Sequence, residues 1–572
     1  MTQLQIVALA AMVGPAYLIF LCLIGDMIGR TWLTSIESSW ERGATTLLTG
    51  LLAHAILTSI ALAVAPRWSG ICLCVLLAGA VISWHWRRPL LAPVAKPLLL
   101  VMAYSVACYL VLLSFHYSPA RGSTIFWSIF SLTNVTPGDS PQSAFQAQYL
   151  LFGHQLTGAE QFALFDRPFL GGIITAGTLP AFGIHFQPKF YDYAELTAFA
   201  YTNLWIAINS IAALSLLNVV ERFSNGRSTL IISMLLLASP FLVFNTIGLW
   251  PKLLALSLMC LACTQALRQN WIIAILFSGA SFFAHGSFLW AHLSFGGVIA
   301  LILLAQKRQE FAITWSRLVT VLFACAAVPI AWFAAEHIVG GATPLRTYYL
   351  YNVQVGYGLD HTAEQIAREF YSSTNAANLA SLPWMNMIKG ILPIETLDMI
   401  LNYRLSNEAI SWRALGETLF YTQHMRTWFA LGLIGGILTL RGLFHSDSAR
   451  WLPRLSLIVF FLLPLIPGLG LYRRDDLFLL IIMIFSIIPV LISFSIGFSS
   501  LREPTMTAIA LGMVVEYLMI YFWRYPPGRY VGEFHAYYLA VIVLSLLIVA
   551  ATIAWPRRWR PSTSGIFSGN TR

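Results

Sequence analysis

The sequence predicts an all-α fold, a polytopic transmembrane helical bundle of about 13–15 spans with two large extracytoplasmic loops that contain short helices. Three observations predict it. Of 572 residues, 58% are hydrophobic and only 10% charged, with a mean hydropathy of +0.73, whereas soluble domains carry about 25% charge. Runs of about 20 apolar residues recur from end to end, each long enough to cross a hydrocarbon layer roughly 30 Å thick as a helix. Lipid offers no partner to backbone N–H and C=O groups, so such runs fold as helices rather than as an open sheet.

Taken in order, the apolar runs between breakers place spans near 4–25, 43–65, 69–85, 97–115, 194–219, 228–247, 252–267, 271–287, 288–305, 315–338, 427–441, 455–471, 477–497, 505–523 and 537–555. The first run is too long, and its start too poor in basic residues, for a cleaved signal. Between the fourth and fifth spans, Ser140 and Pro141 open a helix-like stretch from Gln142 to Phe152. Phe169 to Gly183, rich in Gly and interrupted by Pro180, reads as a re-entrant or interfacial helix. The chain divides into amino-terminal spans (1–96), a core (97–338) that includes outer loop 116–193, a second outer loop (339–426) and carboxy-terminal spans (427–572).

Basic residues are retained on the cytoplasmic side of short loops. With Arg557, Arg558 and Arg560 inside, the alternation also puts Arg87, Arg88, Arg222, Arg227, Arg268, Lys307, Arg308, Arg441 and Arg450 inside, and both long loops outside. The net charge of +10 therefore marks topology and contacts with membrane lipids; no basic stripe with interleaved aromatics accompanies it, which argues against nucleic acid as a partner. All seven cysteines fall in apolar segments, so neither a disulfide framework nor a zinc site is indicated. No internal repeat stands out that would mark an inverted-repeat transporter.

The candidate chemistry lies at the outer face. Asp139 stands just before the helix start at Ser140-Pro141; it is either a cap or a general base able to take the proton of an attacking hydroxyl. Asp166-Arg167-Pro168 opens the Gly-rich stretch, and a guanidinium such as that of Arg167 grips phosphate oxygens with two donors. Lys252 begins a span on the same side, as a phosphate contact or a snorkelling lysine. His285 follows in Ala284-His285-Gly286, either packing between helices or acting as a ligand or base. Tyr472-Arg473-Arg474 sits at a late outer boundary, where paired arginines run against the topological tendency; they bind an anion or pair with Asp475 or Asp476.

Asp139 with Asp166-Arg167-Pro168 resembles the outer loop of the GT-C class of membrane glycosyltransferases, in the arm that includes the aminoarabinose transferases acting on lipid A and the protein mannosyltransferases. There an acidic residue follows an early span, and an acidic-basic-proline motif opens the next apolar stretch. The resemblance implies Asp139 and Asp166 as acidic catalytic positions, Arg167, Lys252, Arg473 and Arg474 on phosphate, and further roles for His285 and Tyr472. It implies a polyprenyl-phosphate-linked sugar as donor and a lipid, glycan or protein as acceptor, at the bacterial inner membrane. The chain departs from the class in placing three spans before the one that leads to Asp139, and in lacking a second acid beside it. That leaves a divalent cation as cofactor open, with no metal ligands assigned.

An O-antigen ligase or polymerase shares the many spans and the large outer loop but relies on Arg and His. A transporter or flippase of lipid-linked substrates instead requires charges deep in the spans, whereas the ionisable residues here are read as clustering at span ends and in the outer loops.

Overall fold

A computed structural model describes residues 3–33, 36–87, 91–116, 142–153, 168–187, 195–305, 311–340, 427–444 and 486–524, with single positions between 365 and 381. The elements are α1 (Gln3–Leu33), α2 (Ser39–Val64), α3 (Ile71–Arg87), α4 (Leu91–His116), α5 (Gln142–Phe152), α6 (Leu170–Ala181), α7 (Glu195–Phe223) and α8 (Gly226–Ala238). They continue with α9 (Pro240–Ile247), α10 (Lys252–Leu267), α11 (Trp271–Ala284), α12 (Leu289–Ala305), α13 (Phe311–Gly340), α14 (Gly432–Phe444), α15 (Ile487–Ser499) and α16 (Glu503–Arg524). No strand occurs among the described residues. Seven of their helices are long and apolar enough to cross a membrane, and α8 with α9 makes an eighth if the bent pair is one span. The predicted spans 455–471 and 537–555 lie outside the described residues, as does most of loop 339–426.

The expected span 228–247 falls on two helices bent by 44° relative to each other. Ser239 and Pro240 break it, because Ser239 Oγ accepts the Leu242 N–H at 3.3 Å as an N-cap and Pro240 has no N–H to continue the ladder. Tyr521 of α16 donates to the Ala238 carbonyl at the break, 2.9 Å away.

The middle of the bundle is α7, whose most apolar stretch is wholly buried and which packs against α1, α2, α4, α10 and α15. A helix apolar on every side belongs in the interior. It also carries polar ties. Asn203 Oδ1 accepts the Gly14 N–H at 2.6 Å, one residue before Pro15 in α1, and Trp205 Nε1 donates to Thr175 Oγ1 of α6 at 3.1 Å.

Polar contacts gather the helix ends into two faces. On one, Glu41 at the start of α2, itself fully buried, pairs with Arg222 at the end of α7 (2.7 Å) and Arg268 at the end of α10 (2.8 Å). Ser38 donates to Glu221 at 2.7 Å, and Lys96 of α4 lies over Trp40. The adjoining ends continue this face, with Arg227 on Glu503 at 3.2 Å, Ser228 on Ser499 at 2.9 Å and Arg441 donating to Ser500 at 3.1 Å. Arg222, Arg227, Arg268 and Arg441, set on one side by their charge, thus meet at one face.

At the other end α5 packs along α6. The boundaries of α5 match the helix expected from Gln142 to Phe152, and α6 is the short helix expected within 169–183. At 12 residues it is well short of a span. Its first residues reach α5 and α7, where a Cβ on Gly171 would meet Trp205 at 3.2 Å. Its last reach the 3-10 turn after α2, where a Cβ on Gly70 would meet Ala181 at 2.9 Å. It therefore runs from the α7 side of the bundle to the α2 side.

Candidate functional site

The face opposite the Glu41 cluster holds the described candidates. Helices α10 and α11 form a hairpin that turns at Arg268–Asn270, so Lys252 at the first residue of α10 and His285 at the end of α11 share the end farthest from Arg268. An α-helix rises 1.5 Å per residue, which puts roughly 20 Å between the two ends of the hairpin.

Lys252 does not snorkel. It is 2% exposed, and its Nζ stands 3.3 Å from the centroid of the Trp250 ring, which is itself 3% exposed. A cation desolvated over an aromatic face is held by the ring quadrupole. The chain reaches Lys252 through Leu249 at φ 56°, a left-handed conformation uncommon for a branched side chain, and through Pro251, which caps α10 with no side-chain acceptor.

His285 lies at a break rather than inside a span. Its backbone is extended (φ −153°, ψ 123°), its N–H bonds the Ser281 carbonyl at 3.1 Å, and its carbonyl accepts from Phe288 at 2.9 Å to start the turn into α12. The side chain is buried. Pro168 comes up to this break: its Cδ lies 3.4 Å from the place a Cβ on Gly286 would occupy. Phe169 then meets Tyr149 of α5 and Trp332 of α13 with tilted rings, at 6.3 and 5.8 Å between ring centroids, and Trp332 meets Phe283 of α11 edge-on at 6.2 Å. The proline that ends the Asp166-Arg167-Pro168 motif is thus seated beside His285-Gly286, at the end of the hairpin that begins with Lys252. Asp139, Asp166, Arg167, Tyr472, Arg473 and Arg474 lie outside the described residues.

The expectation that ionisable groups keep to span ends is corrected. His54 is fully buried within α2 and hydrogen-bonds the Tyr17 hydroxyl of α1 through Nδ1 at 3.0 Å. His292 of α12 joins Ser278 of α11 (2.8 Å) to the Cys325 carbonyl of α13 (2.9 Å). Glu516 of α16 accepts the Leu433 N–H at 2.7 Å, a carboxylate set at the start of α14. Each ties two or three helices together. A charged or imidazole residue inside an apolar run was the available signal for all three. Among the described residues no three His, Cys, Asp or Glu side chains gather as metal ligands. No family model, curated protein or solved structure matches the chain.

Proposed function

We propose that the chain is a membrane glycosyltransferase that moves one glycosyl unit from a polyprenyl-phosphate donor to an acceptor at the outer face of a bacterial inner membrane. The observation that carries this reading is the meeting of Pro168 with the His285-Gly286 break, at the same end of the bundle as the buried Lys252. It supports bringing the acidic-basic-proline motif and a desolvated cation to one membrane boundary.

In the proposed reaction Asp139 takes the proton of an acceptor hydroxyl while that oxygen attacks the anomeric carbon. The carbon–oxygen bond to phosphate breaks, and the phosphate leaves with the electron pair. Arg167 and Lys252, with Arg473 or Arg474, compensate its charge. A single displacement inverts the anomeric centre. The isoprenoid tail stays in hydrocarbon while its phosphate reaches the aqueous boundary.

The test is transfer by the full chain in proteoliposomes supplied with radiolabelled polyprenyl-phosphate sugars and a membrane extract as acceptor. Loss of a general base costs about 10²- to 10⁴-fold in rate, so Asp139→Asn should fall by that factor; unchanged transfer sinks the reading. If His285→Ala abolishes transfer while Asp139→Asn does not, a histidine-dependent ligase mechanism takes its place.

A further inference from the structure

We infer that His54 is a proton-operated latch: its neutral ring seats the Gly177 end of α6 against α2, and protonation of that ring releases it. The inference concerns how α6 docks and stands apart from the proposed reaction.

Three helices meet at the ring. His54 of α2 is fully buried, and its Nδ1 hydrogen-bonds the hydroxyl of Tyr17 in α1 at 3.0 Å, with the two rings edge to face at 5.8 Å between centroids. The other nitrogen, Nε2, has no hydrogen-bond partner. It lies against α6, because a Cβ on Gly177 would stand 2.9 Å from Nε2 and 2.5 Å from Oγ1 of Thr58, one turn along α2. A neutral imidazole carries a single N–H, and its Nδ1 is satisfied by Tyr17. An imidazolium carries an N–H on both nitrogens and a full charge. Its second proton would meet Gly177, which has no side chain to accept it, and Thr58, whose hydroxyl supplies a lone pair but no countercharge. A buried charge left unanswered costs far more than an unpaired neutral nitrogen.

No charge among the described residues is placed to answer it. Tyr17 of α1 is the titratable group on the ring, and Cys72 of α3 lies beyond it, with its thiol 3.6 Å from the Leu57 carbonyl. Helix α6 has no titratable side chain. Asp26 of α1 is nine positions from Tyr17, and Glu41 and Arg42 are 13 and 12 positions from His54, each more than about 12 Å along its helix. Lys96 of α4, Arg222 of α7 and Arg268 of α10 gather at that same Glu41 end. Arg67, in the turn after α2, is 13 positions beyond His54 and exposed.

This end of α6 is held by few polar ties: Ser69 donates to the Ala176 carbonyl at 2.9 Å, and Trp205 to Thr175 at 3.1 Å. A short element so held opens at less than the cost of global unfolding. Lifting it brings water to His54, whose ring then titrates near the ordinary imidazole value of about 6.5. The lifted state takes up a proton that the seated state excludes. Docking is therefore insensitive to pH above that value and weakens about tenfold for each pH unit below it.

The experiment is amide hydrogen exchange read by mass spectrometry on the purified full chain in detergent at pH 7.5 and 5.5, corrected for the intrinsic chemical rate. The opening equilibrium of peptides from α6 should rise about tenfold at pH 5.5, while those from α7 and α10 stay unchanged. His54→Gln keeps an uncharged polar side chain and should abolish the rise. Tyr17→Phe leaves His54 in place; it should open α6 more readily at both pH values and keep the tenfold rise, which preserves the test if His54→Gln does not fold. An α6 whose exchange ignores pH in the parent protein, a rise that survives His54→Gln, or one lost in Tyr17→Phe overturns the latch. An equal rise in α7 and α10 also overturns it, because the whole bundle and not α6 would then be loosening.

Discussion

A carboxylate with no exposed surface survives in an apolar bundle only if its charge is answered, and Glu41 is answered twice. Arg222 and Arg268 hold its two oxygens while keeping 33% and 27% of their own side chains in solvent. Removing one partner of a buried pair leaves an uncompensated charge, which costs several kcal/mol in full burial; with both guanidiniums reaching water, about 1–3 kcal/mol is the reasonable scale. Glu41→Gln should therefore lower the apparent melting temperature in detergent, and Glu41→Gln with Arg268→Met should lose less than the two single changes together. Strict additivity in that cycle would show that the pair is not coupled. None of this pairing was legible in the sequence, because the partners sit 181 and 227 positions away from Glu41 and nothing local links them. Lys252 is the intermediate case. Its place at the start of a helix is legible from Pro251, but its burial on Trp250 depends on a left-handed Leu249 that no local pattern announces. For Asp139 and Arg167 the sequence remains the whole of the argument.

Between helices the recurring device is glycine at a crossing. A Cβ on Gly25 would overlap the Thr46 carbonyl, and one on Gly50 the Leu21 carbonyl, so α1 and α2 touch backbone to backbone. The arrangement recurs in α14 and α15, where Gly442 meets Ser493 and Gly497 meets Leu438. Small residues permit this approach inside a membrane, where close packing rather than water drives association. Helix α6 is docked by the same means, since a Cβ on Gly177 would lie 2.5 Å from Thr58 Oγ1 and 2.9 Å from His54 Nε2. Overpacking of this kind costs about 1–3 kcal/mol. Gly177→Ala should lower thermal stability, and Thr58→Ala should restore part of it by removing the atoms struck. A double variant no more stable than Gly177→Ala alone would mean that the contact is not the cause. The helices themselves were readable where punctuation was local. Ser140-Pro141 before α5 and Gly153 at φ 63° after it bracket its 11 residues. The bend between α8 and α9 had equally local signals in Ser239 and Pro240, but they are embedded in a continuous apolar run whose length alone suggests one straight span.

The whole molecule joins one charged face, built on Glu41, Arg222, Arg268, Arg227 and Arg441, to an opposite face where Lys252, His285 and Pro168 lie. The packing decides which ends share a face, and the retention of basic residues on the cytoplasmic side decides which face is which. That assignment is open to direct measurement in a version with its seven cysteines replaced. Gln187, exposed just after α6, belongs with the Pro168 face, and Glu503, 67% exposed, with the charged face. A membrane-impermeant maleimide should label Gln187→Cys in intact cells and reach Glu503→Cys only after permeabilisation. The reverse pattern would put Lys252 and the Pro168 contact in the cytoplasm, and the reading of a polyprenyl-phosphate donor used at the outer face would fall even if Lys252 binds phosphate. Labelling at both positions in intact cells would contradict the two-faced arrangement itself, because residues at opposite ends of a bundle more than about 20 helical residues tall are separated by the full hydrocarbon layer.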